Sequence, residues 1–242
     1  FIYSSFTGAG SVQYFYRYST SLNSWTSLSA LAGQGAASLT WDGGNLIYGS
    51  INCCGNLNTY SISGNSWASK NSAPVGSSDG VSSAYPGTGD YIYRLSGGGT
   101  SFYRYSISGN SWTQMTNITS GAFLGASLVS TNDNYLYAII GNNSTNFYRY
   151  SISGNSWSSM TAVPAAVSSA GGGGLVYPAT GNYIYAATGN SANFYRYSIS
   201  GNSWTQMTSA PDTFGQYAGF AYPGSGNNIY ATRGSFNGDV FY

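Results

Sequence analysis

The sequence predicts an all-β repeat protein, and three observations support this prediction. One phrase recurs five times along the 242 residues and ends each time in tryptophan. The runs on either side of this phrase are rich in the β-branched and aromatic residues that favour strands. No stretch of useful length shows the 3.6-residue apolar period of an amphipathic helix.

The recurring phrase reads YSTSLNSW at 18–25 and YSISGNSW at 60–67, 105–112, 150–157 and 197–204. Its aromatic ends are Tyr18 and Trp25, Tyr60 and Trp67, Tyr105 and Trp112, Tyr150 and Trp157, and Tyr197 and Trp204. The tryptophans of successive phrases are 42 to 47 residues apart. A repeat of this length is typical of one blade of a β-propeller. We expect each tryptophan to pack between blades, because repeats bury their apolar faces against their neighbours.

Each repeat contains four short β runs, here named strands a to d. In one repeat they are AYPG at 84–87, YIY at 91–93, FYRYSIS at 102–108 and SWTQM at 111–115. The SGN turn between strands c and d suits Gly and Asn, which tolerate positive φ. The runs number 22, whereas six complete blades need 24. We expect one domain over 1–242, a propeller of about six four-stranded blades of which the first and last are incomplete.

The expected blade units lie near 1–28, 34–70, 80–115, 124–160, 173–207 and 217–242. Two explanations of the missing strands stay open. Either the polypeptide is longer than this stretch, or a neighbouring subunit supplies the strands and extends the sheet.

The phrase resembles the kelch repeat, in which Tyr, Asn and Trp follow at this spacing. Tyr105, Asn110 and Trp112 show the pattern, and the resemblance covers essentially the whole chain. It implies a β-propeller with strand a nearest the axis and strand d outermost. The chain departs from the kelch pattern in one respect, and we therefore call it kelch-like. A Gly-Gly pair usually follows strand b in kelch repeats, whereas in this sequence only Gly97-Gly98 does so. The alternative WD40 repeat would need Trp-Asp and Gly-His marks, which this sequence lacks.

Composition bears on partners and location. Charged residues make up 5% of the chain and the formal net charge is +1, so nothing suggests binding to nucleic acid or to an anionic membrane. No apolar run of about 18 residues predicts membrane insertion. A surface of Ser, Thr and Asn with few charges suggests an extracellular or cell-surface location, for which secretion would need a leader outside this sequence.

The sequence predicts a non-catalytic protein without cofactor or metal. Histidine is absent, and with it the commonest general base and metal ligand. Some kelch propellers hold a galactose-oxidase-type copper centre, which needs histidine ligands. Asp42, Asp90 and Asp133 fall in the a–b turns of different blades, where an aspartate usually bonds its own backbone.

Four residues that break the repeat are candidates for ligand binding. Cys53 and Cys54 lie in the b–c loop of the second blade. A disulfide between them would suit an oxidising compartment and could make a rigid platform for a sugar. The alternatives are a simple loop constraint or two free thiols. Arg94 and Arg233 each end a strand b and are the other two candidates.

A further set of residues repeats with the blades or fits a modification pattern. Strand c carries an arginine in four blades, which we expect to stack on Tyr or Trp and to bond backbone carbonyls rather than form a binding ring. These are Arg17, Arg104, Arg149 and Arg196. The acceptor pattern for N-glycosylation occurs at Asn117, Asn142 and Asn143.

The function expected from the sequence is that of a structural or adhesive surface module, which could assemble head to tail into a filament. Its partners would be other copies of itself, surface proteins or glycans. Two alternatives stay open: a glycan-binding, lectin-like propeller, and a kelch-type enzyme.

Overall fold

A computed structural model describes residues 1–7, 13–31, 36–51, 55–74, 80–169 and 171–234. These residues form strands and turns, and they contain no helix. The first three sheets are built from β1 (Ile2–Thr7), β2 (Gln13–Ser19), β3 (Ser24–Ser27), β4 (Ala36–Trp41), β5 (Leu46–Ile51), β6 (Leu57–Ser61), β7 (Ser66–Lys70), β8 (Ser82–Ala84), β9 (Tyr91–Leu95), β10 (Phe102–Ser106) and β11 (Ser111–Gln114). The last three are built from β12 (Ala126–Ser130), β13 (Tyr135–Ile140), β14 (Phe147–Ser151), β15 (Ser156–Ser159), β16 (Gly173–Val176), β17 (Tyr183–Thr188), β18 (Phe194–Ser198), β19 (Ser203–Gln206), β20 (Gly219–Ala221) and β21 (Tyr230–Thr232).

The strands form six antiparallel sheets in chain order. The first sheet has three strands (β1–β3), the next four have four strands each, and the last has two (β20 and β21). This arrangement confirms the predicted all-β propeller, in which, among the described residues, the first sheet has three strands and the last has two. Counted as sheets of three or more strands, the described residues make five blades, and the two-stranded sheet is a partial sixth.

The innermost strands of neighbouring blades lie against each other. β8 contacts β4 and β12, and β16 contacts β12 and β20. Serine hydroxyls join these strands: Ser38 Oγ accepts the N–H of Ser83 at 3.1 Å, and Ser82 Oγ accepts the N–H of Leu128 at 2.9 Å. Strand a therefore lies nearest the axis, as the resemblance to kelch repeats implies.

The turn between strands c and d depends on an asparagine and a glycine. Asn110 adopts a left-handed conformation with φ of 45°, which asparagine tolerates better than most residues. A Cβ on Gly109 would lie 2.8 Å from Ser106 Oγ. The expectation of positive φ therefore holds for the asparagine, whereas the glycine at this turn provides space.

Aromatic rings fill the interfaces between blades. The ring of Tyr150 lies 4.8 Å from Phe102 and 5.9 Å from Tyr93 in the preceding blade, and Trp157 lies 4.9 Å from the same Phe102. These are edge-to-face and tilted contacts, which aromatic pairs prefer. The prediction that the repeated tryptophans pack between blades is confirmed at this interface and at the others with the same rings.

Hydrogen bonds complete each interface. The hydroxyl of Tyr150 donates to Asn155 Oδ1 at 2.7 Å, and the same oxygen accepts the N–H of Thr116 at 2.9 Å. The indole N–H of Trp157 donates to the Thr116 carbonyl at 2.9 Å. Thr116 follows Trp112 of the preceding blade by four residues. We call this set of three side chains, bonded to the preceding blade, the Tyr–Asn–Trp clamp. It recurs at Trp67, Trp112 and Trp204.

The ring of blades closes through the same aromatic contact. Tyr230 is the strand-b tyrosine of the last sheet, and its ring lies 5.9 Å from that of Tyr18 in the first blade. The corresponding pair of Tyr137 and Tyr197 is also 5.9 Å apart. The first and last sheets are therefore neighbours around the axis.

Candidate functional site

A groove lies between blade 5 and the two strands of blade 6. Its cavity has a volume of about 540 Å³. Blade 5 contributes Tyr185, Phe194 and Thr208, and β21 contributes Tyr230 and Ala231. We call this cavity the blade-6 groove.

The groove exposes rings that other blades bury. Tyr137 and Phe147 of blade 4 are each 1% exposed, because Tyr197 and Trp204 of blade 5 cover them. The equivalent rings of blade 5, Tyr185 and Phe194, are only partly buried and line the open cavity.

Blade 1 carries a second aromatic surface. Phe6 stacks on Tyr14 at 5.1 Å and on Tyr16 at 5.7 Å. Tyr16 in turn meets Trp25 edge to face at 6.3 Å. Phe6, Tyr14 and Trp25 are exposed. We call Phe6, Tyr14 and Tyr16 the aromatic ladder.

Of the four predicted ligand residues, Cys53 and Cys54 lie outside the described residues. Arg94 is fully buried between blades 2 and 3. Its Nη1 donates to the carbonyl of Gly55 at 3.1 Å, and its Nε and Nη2 have no hydrogen-bond partner. Burial without a counter-ion lowers the pKa of Arg94 to about 10. Arg94 thus lies inside an interface and not at a surface, and its part in binding stays a prediction.

Arg233 lies in a different environment. Its Nη1 is 3.2 Å from a carboxylate oxygen of Asp212, and both side chains are more than a third exposed. Such a surface ion pair contributes little to stability. The structure does not bring Arg233 and Arg94 together, since Arg233 follows β21 and Arg94 belongs to β9.

The strand-c arginines stack on the first ring of the neighbouring strand b. The guanidinium carbon lies 4.0 Å from the ring centre of Tyr91 for Arg104, with matching contacts at 4.3 to 4.5 Å for Arg17, Arg149 and Arg196. Stacking on an aromatic ring is confirmed, although Arg17 uses Phe1. The expected bonds to backbone carbonyls are wrong for the Nε atoms of Arg17, Arg104 and Arg196, which have no partner.

The carboxylates of the a–b turns serve their own blades. Asp90 accepts from the Ser106 hydroxyl at 2.6 Å and from the Ser108 N–H at 2.8 Å, and these bonds lower its pKa. Asp42 accepts the N–H of Gly44 at 2.8 Å. The prediction that these aspartates bond their own turns is confirmed for Asp42 and for Asp133, which accepts the N–H of Tyr135 at 2.8 Å. It is wrong for Asp90, which instead bonds the end of strand c and the turn between strands c and d of its blade. Across the described part of the chain, His, Cys, Asp and Glu form no group of three that could hold a metal ion.

The three candidate glycosylation sites are on the surface. Asn117, Asn142 and Asn143 are all exposed. Asn143 Oδ1 accepts the N–H of Ser169 at 3.0 Å, whereas Asn117 Oδ1 accepts only from the Gln114 side chain at 3.2 Å. Glycosylation at these positions stays a prediction.

Neither a protein-family model nor a curated protein matches this sequence. The described residues also include no helix that is long and apolar enough to cross a membrane.

Sequence reasoning missed the groove residues Tyr185, Phe194 and Thr208. A signal for them exists in the repeat itself. Tyr197 and Trp204 cover the strand-b and strand-c rings of blade 4, and within the described residues no further phrase follows to cover those of blade 5.

Proposed function

We propose that this protein is an extracellular, non-catalytic propeller of the kelch type that acts as a structural or adhesive module. The observation on which the proposal depends is where large apolar side chains are exposed to solvent. Among the described residues ten such side chains are exposed, and six of them belong to the first and last sheets: Phe1, Phe6, Tyr14, Leu22, Trp25 and Tyr217. Exposed apolar patches of this kind mark interaction surfaces.

Two further features support a role in assembly over one in catalysis. The polar side chains of the repeat phrase join blade to blade in the Tyr–Asn–Trp clamp, and the carboxylates of the a–b turns are bound within their own blades. The kelch type is supported by the spacing of Tyr, Asn and Trp, and the extracellular location by the low charge content of 5%.

Concentration-dependent sedimentation of the purified chain tests this proposal. We expect self-association or binding to a protein-coated surface, and we expect the double variant Phe6→Ser, Tyr14→Ser to weaken it. Trp41→Ser is the matched control, since Trp41 is 56% exposed but belongs to a complete blade. A wild-type chain that stays monomeric and adheres to no surface would contradict the proposal.

A second candidate, glycan binding, is favoured by the aromatic ladder. Sugar rings stack on exposed aromatic faces, and Phe6 and Tyr14 present two such faces 5.1 Å apart. A glycan array probed with the wild-type chain and with the same double variant tests this candidate. Binding that is lost in the variant supports the glycan-binding candidate, and no binding of the wild-type chain to any glycan on the array would contradict it.

A further inference from the structure

We propose that a polar pocket between blades 4 and 5 binds one uncharged sugar ring at the end of a glycan. This inference goes beyond the proposed adhesive function. It assigns a site whose residues belong neither to the exposed apolar side chains of the first and last sheets nor to the aromatic ladder. We call this cavity the asparagine pocket.

The asparagine pocket lies where the b–c loops of two complete blades meet the connection between these blades. Its volume is about 240 Å³, which is below the roughly 300–1,000 Å³ of sites for drug-sized ligands. A cavity of this size accommodates one sugar ring and leaves the rest of a glycan in solvent. Its polar lining consists of Asn143 from blade 4, Ser168 from the connection, and Thr188, Asn190, Ser191 and Asn193 from blade 5.

Three asparagine side chains determine which ligands the pocket can bind. Within the part of the chain that the structure describes, the side-chain amides of Asn190 and Asn193 have no hydrogen-bond partner, and neither has Nδ2 of Asn143. An asparagine amide offers two donors and an acceptor, and each hydroxyl of a sugar is both a donor and an acceptor. These amides can therefore exchange their bonds to water for bonds to the hydroxyls of one ring.

The rest of the lining favours a ligand that is polar but uncharged. No charged side chain lines the pocket, and an ion that leaves water without a counter-charge is strongly disfavoured. The hydroxyl oxygens of Thr188 and Ser191 lie 3.3 Å apart and add further donors and acceptors. A neutral sugar matches this lining better than a phosphate, a carboxylate or an amine does.

Backbone hydrogen bonds hold the walls of the pocket in place. The N–H of Asn190 donates to the carbonyl of Phe214 at 2.6 Å, and the N–H of Ser168 donates to the carbonyl of Thr188 at 2.7 Å. Asn143 Oδ1 accepts the N–H of Ser169 at 3.0 Å. A ligand that enters a site held in this way orders few groups on binding, and this reduces the entropic cost.

The blade itself does not require asparagine at this loop. Blade 3 has Gly97, Gly98 and Gly99 in its b–c loop, and Gly98 has φ of 77°. Asn190 occupies the corresponding position of blade 5 with φ of 50°, although glycine adopts positive φ more readily than any other residue. The side chain of Asn190 is therefore what distinguishes this loop, and it lines the pocket.

An NMR titration of the whole, isotope-labelled chain tests this proposal. The chain is produced in bacteria, so that Asn142 and Asn143 carry no glycan. The probes are the methyl glycosides of glucose, galactose, mannose and N-acetylglucosamine, in which the methyl group stands for the next residue of a glycan. We expect saturable shifts of the side-chain amide signals of Asn190 and Asn193 with one or more of these probes, and a Kd on the order of millimolar.

Variants of the chain locate the site. Asn190→Gly keeps the left-handed backbone and removes an amide, and Ala166→Leu enlarges an exposed side chain that lines the pocket. Both should weaken binding by about tenfold. Asn132→Gly is the matched control and should bind as the wild type does. Asn132 is also exposed and left-handed, with φ of 60°, but it lies in the a–b turn at the opposite end of blade 4.

The absence of saturable shifts with all four glycosides, or unchanged affinity in either Asn190→Gly or Ala166→Leu, would overturn the proposal. Loss of binding only in the double variant Phe6→Ser, Tyr14→Ser would also overturn it, because the sugar would then bind at the aromatic ladder. These results are separable from the adhesive function. A chain that self-associates but binds no glycoside loses only this inference, and a chain that binds a glycoside but neither associates nor adheres loses only the adhesive function.

Discussion

The guanidinium of Arg94 lies 5.6 Å from the ring of Trp112, at the place where other blade interfaces put a phenyl ring. Between blades 3 and 4, for example, Phe102 meets Trp157 at 4.9 Å. The residue of blade 2 that corresponds to Phe102 is Leu57, which is smaller. Two departures from the repeat therefore meet at the ring of Trp112, since Leu57 belongs to the buried cluster against which that ring packs.

Replacing Arg94 by methionine should stabilise the protein. Two of the three guanidinium nitrogens have no hydrogen-bond partner, and replacing buried ions by well-packed apolar groups can add about 1–4 kcal/mol. We expect the low end of this range at neutral pH, measured by urea denaturation. The corresponding change of Arg104, which stacks on Tyr91 at 4.0 Å, is the control and should bring no gain.

The pH dependence of this effect has a definite sign. Burial lowers the pKa of Arg94 to about 10 in the folded chain, below its ordinary value of about 12.5. The cost of burying the charge is therefore fully present at neutral pH and decreases as the pH rises through about 10. A methionine variant that is less stable than the wild type at pH 7 would contradict this interpretation.

Replacing Asn155 by glycine tests the Tyr–Asn–Trp clamp. Glycine keeps the left-handed backbone, which has φ of 44° at Asn155, but leaves the hydroxyl of the buried Tyr150 and the Thr116 N–H without their acceptor. We expect a loss of about 1–3 kcal/mol in the free energy of unfolding, the cost of leaving a buried polar group unpaired. The measurement is thermal or urea denaturation.

Asn190→Gly is the matched control for the effect that replacing a left-handed asparagine by glycine has on the backbone alone. Asn190 has φ of 50° and is exposed, so its change should cost only a few tenths of a kcal/mol, as other surface substitutions do. Equal losses in the two variants would show that the clamp contributes nothing beyond backbone conformation.

The sequence predicts much of the fold because residues that contact each other within one repeat unit lie close together in the repeat phrase. Tyr150, Asn155 and Trp157 share a short phrase, and their spacing alone indicates strand, turn and strand. The contact of Arg94 with Trp112 could not be predicted, because it depends on Leu57 in another blade and on which face of β9 meets that blade. The groove at Tyr185 was not predicted for a related reason: the repeat phrases indicate which rings pack between blades, but only the structure shows that Tyr185 and Phe194 are partly buried where the equivalent rings of blade 4 are fully buried.

Alkaline pH should unfold the protein through its buried tyrosines. Burial raises the pKa of Tyr197 to about 12 and raises those of Tyr48 and Tyr150 further. Unfolded tyrosine ionises near pH 10, so the stability that these groups contribute is fully present below that pH. It is lost as the pH rises from about 10 through the folded values, because the unfolded chain releases protons first.

Circular dichroism against pH, together with tyrosinate absorbance, checks this prediction. We expect a cooperative transition above about pH 10 in which ionisation and unfolding coincide. In Tyr150→Phe the buried ring cannot ionise, so the deficit that this variant shows at neutral pH from loss of the Asn155 bond should shrink as the pH rises. A deficit that stays constant across this range would contradict the assigned cause.

The contact between Tyr18 and Tyr230 closes the ring of blades, and it should contribute less to stability than the aromatic contacts between complete blades. Tyr137 is 1% exposed, so Tyr137→Ala should cost about 3–5 kcal/mol, as for other large aromatic truncations in a core. Tyr230 is only partly buried, and Tyr230→Ala should cost clearly less. Its effect should instead be local, because loss of this ring separates the first blade from the sixth without opening the other interfaces.

Hydrogen–deuterium exchange distinguishes these two kinds of loss. Regions of a folded protein open independently when few contacts hold them. We therefore expect Tyr230→Ala to speed amide exchange in β1, β2, β20 and β21, while β12 to β15 keep their wild-type protection. Tyr137→Ala should speed exchange across several blades. Uniformly faster exchange in Tyr230→Ala would mean that the six sheets open as one unit, and that Tyr18 and Tyr230 hold the whole ring and not only its closure.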